Sequence, residues 1–417
     1  MSENLQGSQI LELAEQIKQK IREGENIYNL TIGDFDPEIF PIPEALRQDI
    51  VRAYDNGQTR YPASNGMPEL REAAAEFTRQ RAGLDYDPGQ FLVSSGARPL
   101  IYAAYTTLID PGDKVIYPVP SWNNNFYTHI VRSGRVEIET KAEDGFMPTA
   151  AQLAPHVEGA RLIALCSPLN PTGTTFTAEQ LSGICELVLA ENKRRGPEEK
   201  PLYLLYDQIY WNLTYGETEH YNPVSLYPEM KDYTIFIDGM SKAFAATGLR
   251  IGWAFGPSKV IGKMKLLLAH VGAWSARPEQ MGAARYLTQE NQVSSFLEGM
   301  RRRLNDRLVS FYDGFQDLKN KGFAVDAIEP QAALYLTVKL DLIGAQRPDG
   351  QTLSNSKEVY AYLLNEANVA LVPFYAFGLT EQSPWYRLSV GTARMSDIPV
   401  IFEKLEAALK RLQSVAV

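Results

Sequence analysis

One lysine, Lys242, stands in the stretch Gly239-Met240-Ser241-Lys242-Ala243-Phe244-Ala245-Ala246-Thr247-Gly248-Leu249-Arg250-Ile251-Gly252. Its neighbours are small or apolar, Ser241 precedes it directly, and Arg250 follows within the same stretch. Just upstream, Thr234-Ile235-Phe236-Ile237-Asp238 reads as a buried strand. An ammonium at the end of such a strand loses hydration, and that lowers its pKa from about 10.4. A less basic amine can form a Schiff base with a carbonyl. Ser241 and Arg250 could hold an anion beside it, phosphate being the obvious candidate. A surface loop carrying an ordinary lysine is the competing reading of this stretch alone.

Four more groups recur at strand ends, where ligands gather in open α/β sheets. Ser94-Ser95-Gly96-Ala97-Arg98-Pro99 reads as strand, tight turn and helix start. Small residues there let backbone N–H groups approach an anion that the helix dipole favours. Ser167-Pro168-Leu169-Asn170-Pro171-Thr172-Gly173 follows a strand ending at Cys166 and presents Asn170 on a turn. Asp207, in Tyr206-Asp207-Gln208-Ile209-Tyr210, ends a buried run, where a carboxylate is costly unless paired. A cationic ring nitrogen would pair it, and a helix-capping role is the plainer alternative. Trp122, in Pro120-Ser121-Trp122-Asn123, could stack on a planar ring or fill a core.

These groups need a scaffold. Residues Ile10 to Ile21 carry an amphipathic stripe, and helices are expected from Glu44 to Tyr54 and from Pro68 onward. Apolar runs then recur at Phe91–Ser94, Lys114–Tyr117, Arg135–Ile138, Arg161–Cys166, Leu202–Asp207, Thr234–Asp238 and Arg250–Phe255. Helical stretches at Pro99–Ile109, Ala178–Asn192 and Ser258–Ala269 lie between them. That alternation predicts an α/β sheet buried on both faces. Lys193 to Lys200 reads as a solvated charged turn. A long helix spans Val293 to Leu318 as a strut and stops at Gly322. Beyond it, runs at Gly322–Val325, Ala332–Val338, Val369–Val372 and Trp385–Val390 alternate with helices at Lys357–Ala367 and Ile398–Leu412, which suggests a second, smaller α/β domain.

Composition excludes several classes. The 417 residues are 45% hydrophobic and 22% charged, as in an ordinary globular protein of two or three domains. A net charge of −9 argues against nucleic acid. Four scattered histidines make a histidine metal site unexpected. Cys166 and Cys185 have neither metal nor disulfide spacing and read as buried thiols in a reducing compartment. Met1-Ser2-Glu3-Asn4 and the charged helix after it lack an apolar leader, and no run is long enough to span a membrane, so a cytoplasmic location is expected.

Taken in order, these motifs resemble the class I/II aminotransferases, the aspartate aminotransferase-like, fold-type-I pyridoxal-phosphate enzymes. The resemblance runs from about Leu30 to Arg394. It implies a three-layer α/β/α large domain with a mostly parallel seven-stranded sheet, over residues 46–310. Residues 1–45 would form an N-terminal arm and part of a smaller α/β domain built from both chain ends, completed by residues 311–417. The resemblance implies that Lys242 is the Schiff-base lysine and proton carrier, and that Asp207 pairs with the pyridinium nitrogen. Tyr210 and Asn170 would bond the ring's phenolic oxygen, and Trp122 would stack on the ring. Ser241, Arg250 and the backbone at Gly96, Ala97 and Arg98 would cup the phosphate. Tyr61 would reach the phosphate of a neighbouring subunit, which implies a homodimer. Arg387 would clamp the substrate α-carboxylate, with Gly33, Trp122 and Asn170 completing the substrate pocket.

The sequence departs from the family pattern in places. Gln208 stands where Glu is usual, and Leu169 where Asn is common. Val372-Pro373-Phe374-Tyr375-Ala376-Phe377-Gly378 carries two aromatics in place of Gly and Ser, Gln331-Ala332-Ala333-Leu334-Tyr335 lacks a usual glycine, and Gly378 to Trp385 lacks a second one. These departures bear on the substrate. The expected reaction moves an amino group from an L-amino acid to a 2-oxo acid by ping-pong, with aspartate/2-oxoglutarate as the family default. Arg277 could meet a distal carboxylate across a dimer interface, while Phe374 and Tyr375 would equally suit an aromatic or aliphatic side chain. A β-lyase or synthase on the same fold would use the same cofactor residues. A transcriptional regulator using the fold as a sensor would carry a DNA-binding domain ahead of it, yet only about 30 residues precede Leu30, without a basic helix pair.

Overall fold

The computed structural model describes residue 7 and residues 9–412; the leader reading of Met1–Asn4 lies outside them. All seven predicted runs of the first part join one sheet, in the order Phe91–Ser94, Gly252–Phe255, Thr234–Gly239, Tyr203–Asp207, Ala160–Cys166, Lys114–Val119, Gly134–Glu139. Gly252–Phe255 pairs antiparallel with both neighbours, and every other pairing is parallel. The unbroken apolar runs follow from burial on both faces. Leu204, Tyr206 and Phe236 pack into one core cluster, and the intervening Leu205, Ile235 and Ile237 into the other.

A four-stranded antiparallel sheet follows, in the order Val372–Pro373, Trp385–Ser389, Tyr335–Leu340, Val325–Ala327. Tyr28–Asn29 runs parallel to Val369–Ala370, so the smaller α/β part draws on both ends of the chain. The linking helix Glu290–Asn320 has 31 residues and is roughly 46 Å long at 1.5 Å per residue. Of its predicted stripe, Val293, Leu297, Met300, Leu304, Leu308, Phe311, Phe315 and Leu318 are buried and Phe296 is half-buried. Among the described residues no helix is long and apolar enough to cross a membrane.

Several expectations need correction. The predicted strand start at Arg250 moves to Gly252, because Arg250 takes a left-handed φ of 55°. The run at Gly322–Val325 becomes a strand only from Val325 to Ala327. Lys193–Lys200 is not a solvated turn throughout. The helix Ala178–Arg195 continues into it, and Arg195 is buried, with Nε donating to Glu191 (2.8 Å) and its other nitrogens to the carbonyls of Val157 (2.8 Å) and Lys200 (2.9 Å). A buried ion pair with a bond at each of the three nitrogens turned a charge run into a structural clamp. Helices Asn124–Val131 and Arg277–Leu287 were not anticipated; the second has Pro278 in its first turn, a readable start signal.

Candidate active site

The carboxyl ends of the parallel strands open onto a cavity of about 650 Å³. Its walls come from several parts of the chain. Cys166, Asn170, Asp207 and Tyr210 follow two central strands, and Ser241, Lys242, Thr247 and Arg250 follow a third. Thr31 to Asp34 come from the start of the chain, and Tyr335 and Arg387 from the smaller sheet. The extended segment is pinned in place because Ser389 N–H bonds the Leu30 carbonyl (2.8 Å) and Ser389 Oγ–H the Ile32 carbonyl (2.6 Å).

Lys242 Nζ donates to the Gly33 carbonyl at 2.6 Å and lies 5.9 Å from the Tyr210 ring centroid. Burial lowers its pKa to about 8, partly opposed by Asp34 and reinforced by Arg387, Arg98 and Arg250. A substantial fraction is therefore neutral amine at mildly alkaline pH. Asp34 Oδ1 accepts from Thr247 Oγ at 2.6 Å, tying the Gly33 segment to the lysine loop.

The Asp207 carboxylate accepts one N–H, from Ile209 at 3.1 Å. Burial pushes its pKa up to about 6, against that N–H and the Lys242 charge. It makes a local turn and caps no helix, since none begins between it and Pro223, and it still lines the cavity short of a cationic partner. Tyr210 Oη and Tyr335 Oη share a hydrogen bond of 2.9 Å, and Asn170 Nδ2 donates more weakly to Tyr210 Oη at 3.5 Å.

At the cavity's other end, helix Ala97–Leu108 begins without a side-chain cap. Its first N–H groups have no intrahelical partner. Gly96 takes φ +91°, and a Cβ there would collide with the Arg250 guanidinium. A Cβ on Gly252 would meet the Gly96 carbonyl carbon at 2.6 Å. Backbone, guanidinium and the buried Ser241 can approach closely only because both positions are glycine, which makes a cradle for a small anion.

Arg387 is buried. Nη1 donates to Asn170 Oδ1 (2.9 Å) and Nη2 to the Thr31 carbonyl (2.6 Å), while Nε has no partner. Its guanidinium lies 4.6 Å from the Tyr335 ring and 5.0 Å from the Phe377 ring. No carboxylate neutralises it among the described residues, so it is a buried cation awaiting an anion. Trp122 lines the same space, with Arg98 stacked 5.4 Å above its ring and Phe377 6.1 Å away.

Four residues singled out in the sequence lie elsewhere. Tyr61 is 86% exposed and packs edge-on against Trp274, outside this chain's cavity. Arg277 donates to Gln58 at 2.9 Å and is not a cavity wall. Phe374 is buried against Phe146, and Tyr375 lies under Lys357, so the aromatic that reaches the site from that segment is Phe377. Cys166 was expected as a purely structural thiol but lines the cavity. Tyr335, Asp34 and Thr247 were missed as site residues, as were Ile10 and Ala14 of helix Gln9–Arg22. Nothing local marks them, because their placement depends on long-range packing.

A family model described as "Aminotransferase class I and II" matches residues 25–405. The chain is 31% identical over 411 residues to an aspartate aminotransferase of Rhizobium meliloti, covering 97% of this chain and 94% of that one. The crystal structure of the Rhizobium meliloti aspartate aminotransferase superposes with a TM-score of 0.90 at 29% identity, covering 99% of this chain and 98% of the other. An aromatic aminotransferase from Pyrococcus horikoshii OT3 gives 0.80 at 28% identity, over 94% and 98%. The buried lysine, the strand-end carboxylate and the anion cradle of this cavity therefore sit in a chain that belongs to the class I and II aminotransferases, as a pyridoxal phosphate-dependent transferase of amino groups.

Proposed function

We propose that the chain transfers the amino group of aspartate to 2-oxoglutarate, with the residues of this cavity in the roles their chemistry suits. The donor set fits pyridoxal phosphate. Asp207, pushed up to about 6 for want of a partner, suits a cationic ring nitrogen. Tyr210 and Asn170 suit its phenolic oxygen, Trp122 its ring face, and Ser241, Arg250 and the Gly96–Arg98 turn its phosphate. When bound, the cofactor supplies an electron sink for the substrate Cα. Lys242 contributes an amine that is neutral above about pH 8 and can take up and return a proton at the substrate Cα. Arg387 orients the α-carboxylate through its planar fork, and Asn170 and the Thr31 carbonyl hold that fork in place.

The observation that carries the dicarboxylate reading is Arg98. It lines the cavity, has no hydrogen bond or ion pair to another described residue, and acts electrostatically on Lys242 together with Arg387. With Arg250 given to the phosphate, the two other unneutralised guanidiniums at the amine, Arg98 and Arg387, suit a substrate with two carboxylates. A second reading, an aromatic donor, is favoured by Trp122 on the wall and Phe377 behind it, packed against Arg387. Product formation from aspartate, phenylalanine and leucine with 2-oxoglutarate decides between them: kcat/KM at least tenfold higher for aspartate is expected, and a preference for phenylalanine would reverse the reading. Release of ammonia and pyruvate without an oxo acid would instead mark a lyase.

The working unit is a homodimer in a reducing cytoplasmic compartment. The exposed Tyr61 ring, absent from its own cavity, supports a role in a partner's phosphate cradle, and the two free cysteines support the compartment. Mixing inactive Lys242→Ala and Tyr61→Phe chains and measuring the activity of the hybrid dimer tests the shared site.

A further inference from the structure

Tyr335 opens strand Tyr335–Leu340 of the smaller sheet, yet it lines the catalytic cavity of the large one. Backbone bonds fix it there. The Ala332 N–H donates to the Gly173 carbonyl (2.9 Å) and the Ala333 N–H to the Leu213 carbonyl (2.8 Å), while the Leu213 N–H donates to the Tyr210 carbonyl (2.8 Å). The loop before Tyr335 and the turn after Tyr210 thus form one bonded unit. In it the buried Tyr335 Oη and Tyr210 Oη meet at 2.9 Å. The direction of that bond follows from the count of protons and lone pairs. A hydroxyl has one proton to give and two lone pairs to offer. Among the described residues Tyr335 Oη makes no other hydrogen bond. Were it to accept from Tyr210, its own buried proton would lack an acceptor, which is costly. Arg387, 4.6 Å from the Tyr335 ring, favours the same direction. Burial raises the pKa of both hydroxyls, Tyr210's the further, and Arg387 opposes the rise at Tyr335, which makes Tyr335 the readier donor.

We propose that Tyr335 is a positioning residue for the transfer reaction: it donates its O–H to Tyr210 Oη and so turns the Tyr210 proton toward the phenolic oxygen of the bound cofactor. This role for Tyr335 rests on the function proposed above, which sets Tyr210 at that oxygen. Asn170 Nδ2 points a weaker donor at Tyr210 Oη from 3.5 Å. With Asn170 and Tyr335 on its two lone pairs, the Tyr210 hydroxyl has only its own proton left, and that proton faces the cavity. A residue of the smaller sheet thereby tunes a cofactor contact made by the large one. A donor on the phenolic oxygen favours the ionised form of that oxygen.

The pH midpoint of the bound cofactor's visible absorbance, read on purified holoenzyme, tests this. Tyr335→Phe keeps the ring beneath Arg387 and removes only the hydroxyl. It should raise the midpoint by about half a unit or more, the scale of one weakened hydrogen bond. Tyr210→Phe should raise it further. Adding Tyr335→Phe to Tyr210→Phe should then change nothing, because Tyr335 acts only through the Tyr210 hydroxyl. Equilibrium dialysis of pyridoxal phosphate gives a second measure on the same proteins. Tyr335→Phe should weaken retention about threefold or more when the Tyr210 hydroxyl is present and leave it unchanged when that hydroxyl is gone. Effects of the two substitutions that simply add would mark Tyr335 as packing alone and overturn its role. A midpoint unmoved by Tyr335→Phe but raised by Tyr210→Phe would overturn it too, and would leave Tyr210 at the phenolic oxygen. A midpoint unmoved by Tyr210→Phe would overturn both assignments.

Discussion

Lys242 Nζ and the Gly33 carbonyl oxygen are 2.6 Å apart, although 209 residues separate them in the chain. The contact joins the loop after a central strand to the extended segment near the chain start. It also buries the amine, which lowers its basicity, among Asp34, Arg98, Arg250 and Arg387, whose charges adjust it further.

The first prediction concerns that basicity. The folded amine titrates near 8, against about 10.4 for a solvated lysine. Between these values the unfolded chain holds one more proton, so this group's contribution to stability rises with pH across the window and is weakest below it. Reductive methylation of Lys242 in cofactor-free protein, followed by peptide mass spectrometry, should show a rate midpoint near pH 8. Arg387→Gln should raise the midpoint and Asp34→Asn should lower it. A midpoint near 10 would contradict the environment described.

Gly33 supplies the second. A Cβ there would lie 2.7 Å from Tyr335 Oη but 3.5 Å from the ring carbon behind it. Gly33→Ala should therefore push Tyr335 off Tyr210 and raise KM for the amino donor about tenfold, in keeping with an overpacking cost of about 1–3 kcal/mol. Tyr335→Phe removes the colliding oxygen at the cost of one hydrogen bond, about 1 kcal/mol. Steady-state kinetics of the double variant should recover most of the loss, and no recovery would place the fault elsewhere.

What could be read from the sequence divides along a physical line. All seven strands of the large sheet were visible because burial on both faces leaves unbroken apolar runs, as at Leu204–Tyr206. Lys242, Asp207 and Asn170 were legible as chemistry because each sits at or just after a strand end, whereas Arg387, in the middle of strand Trp385–Ser389, was marked only by the family resemblance. Phe377 and Tyr335 were not legible, since their place at Arg387 depends on how the smaller sheet meets the large one. Arg195 was misread because a charge run shows its composition and not its partners. Only Glu191 and two carbonyls reveal it as buried.

Gly96 gives the third prediction. It combines φ +91° with a Cβ position already occupied by the Arg250 guanidinium. Gly96→Ala is strained twice, in backbone and in space. Equilibrium dialysis should show pyridoxal phosphate held at least tenfold more weakly, while circular dichroism keeps the native signature. Unchanged retention would remove this turn from the anion cradle.

Arg387→Lys is the fourth. The ammonium keeps the charge but cannot serve the Asn170 oxygen, the Thr31 carbonyl and a substrate carboxylate in one plane. Truncating one partner of a buried, hydrogen-bonded charge pair costs about 2–5 kcal/mol, so kcat/KM for every amino donor should fall by about two orders of magnitude or more, whatever the side chain. A loss confined to acidic donors would assign the α-carboxylate elsewhere.

Arg98 separates the two substrate readings, and its variant is the fifth prediction. The guanidinium lies 5.4 Å over Trp122, lines the cavity and has no anionic partner among the described residues. Arg98→Gln keeps a polar side chain of similar reach and removes the charge. If Arg98 meets the distal carboxylate, kcat/KM should fall about 100-fold or more for aspartate and change less than threefold for phenylalanine or leucine. That asymmetry follows because a neutral donor has nothing for the guanidinium to pair with, whereas an acidic donor loses a charge-assisted hydrogen bond of about 1.5–3 kcal/mol or more. Removing one positive neighbour should also raise the Lys242 midpoint, in the same direction as Arg387→Gln. Equal losses for aspartate and phenylalanine would mean that Arg98 serves the cofactor alone, and the second carboxylate of the substrate would then need another cation.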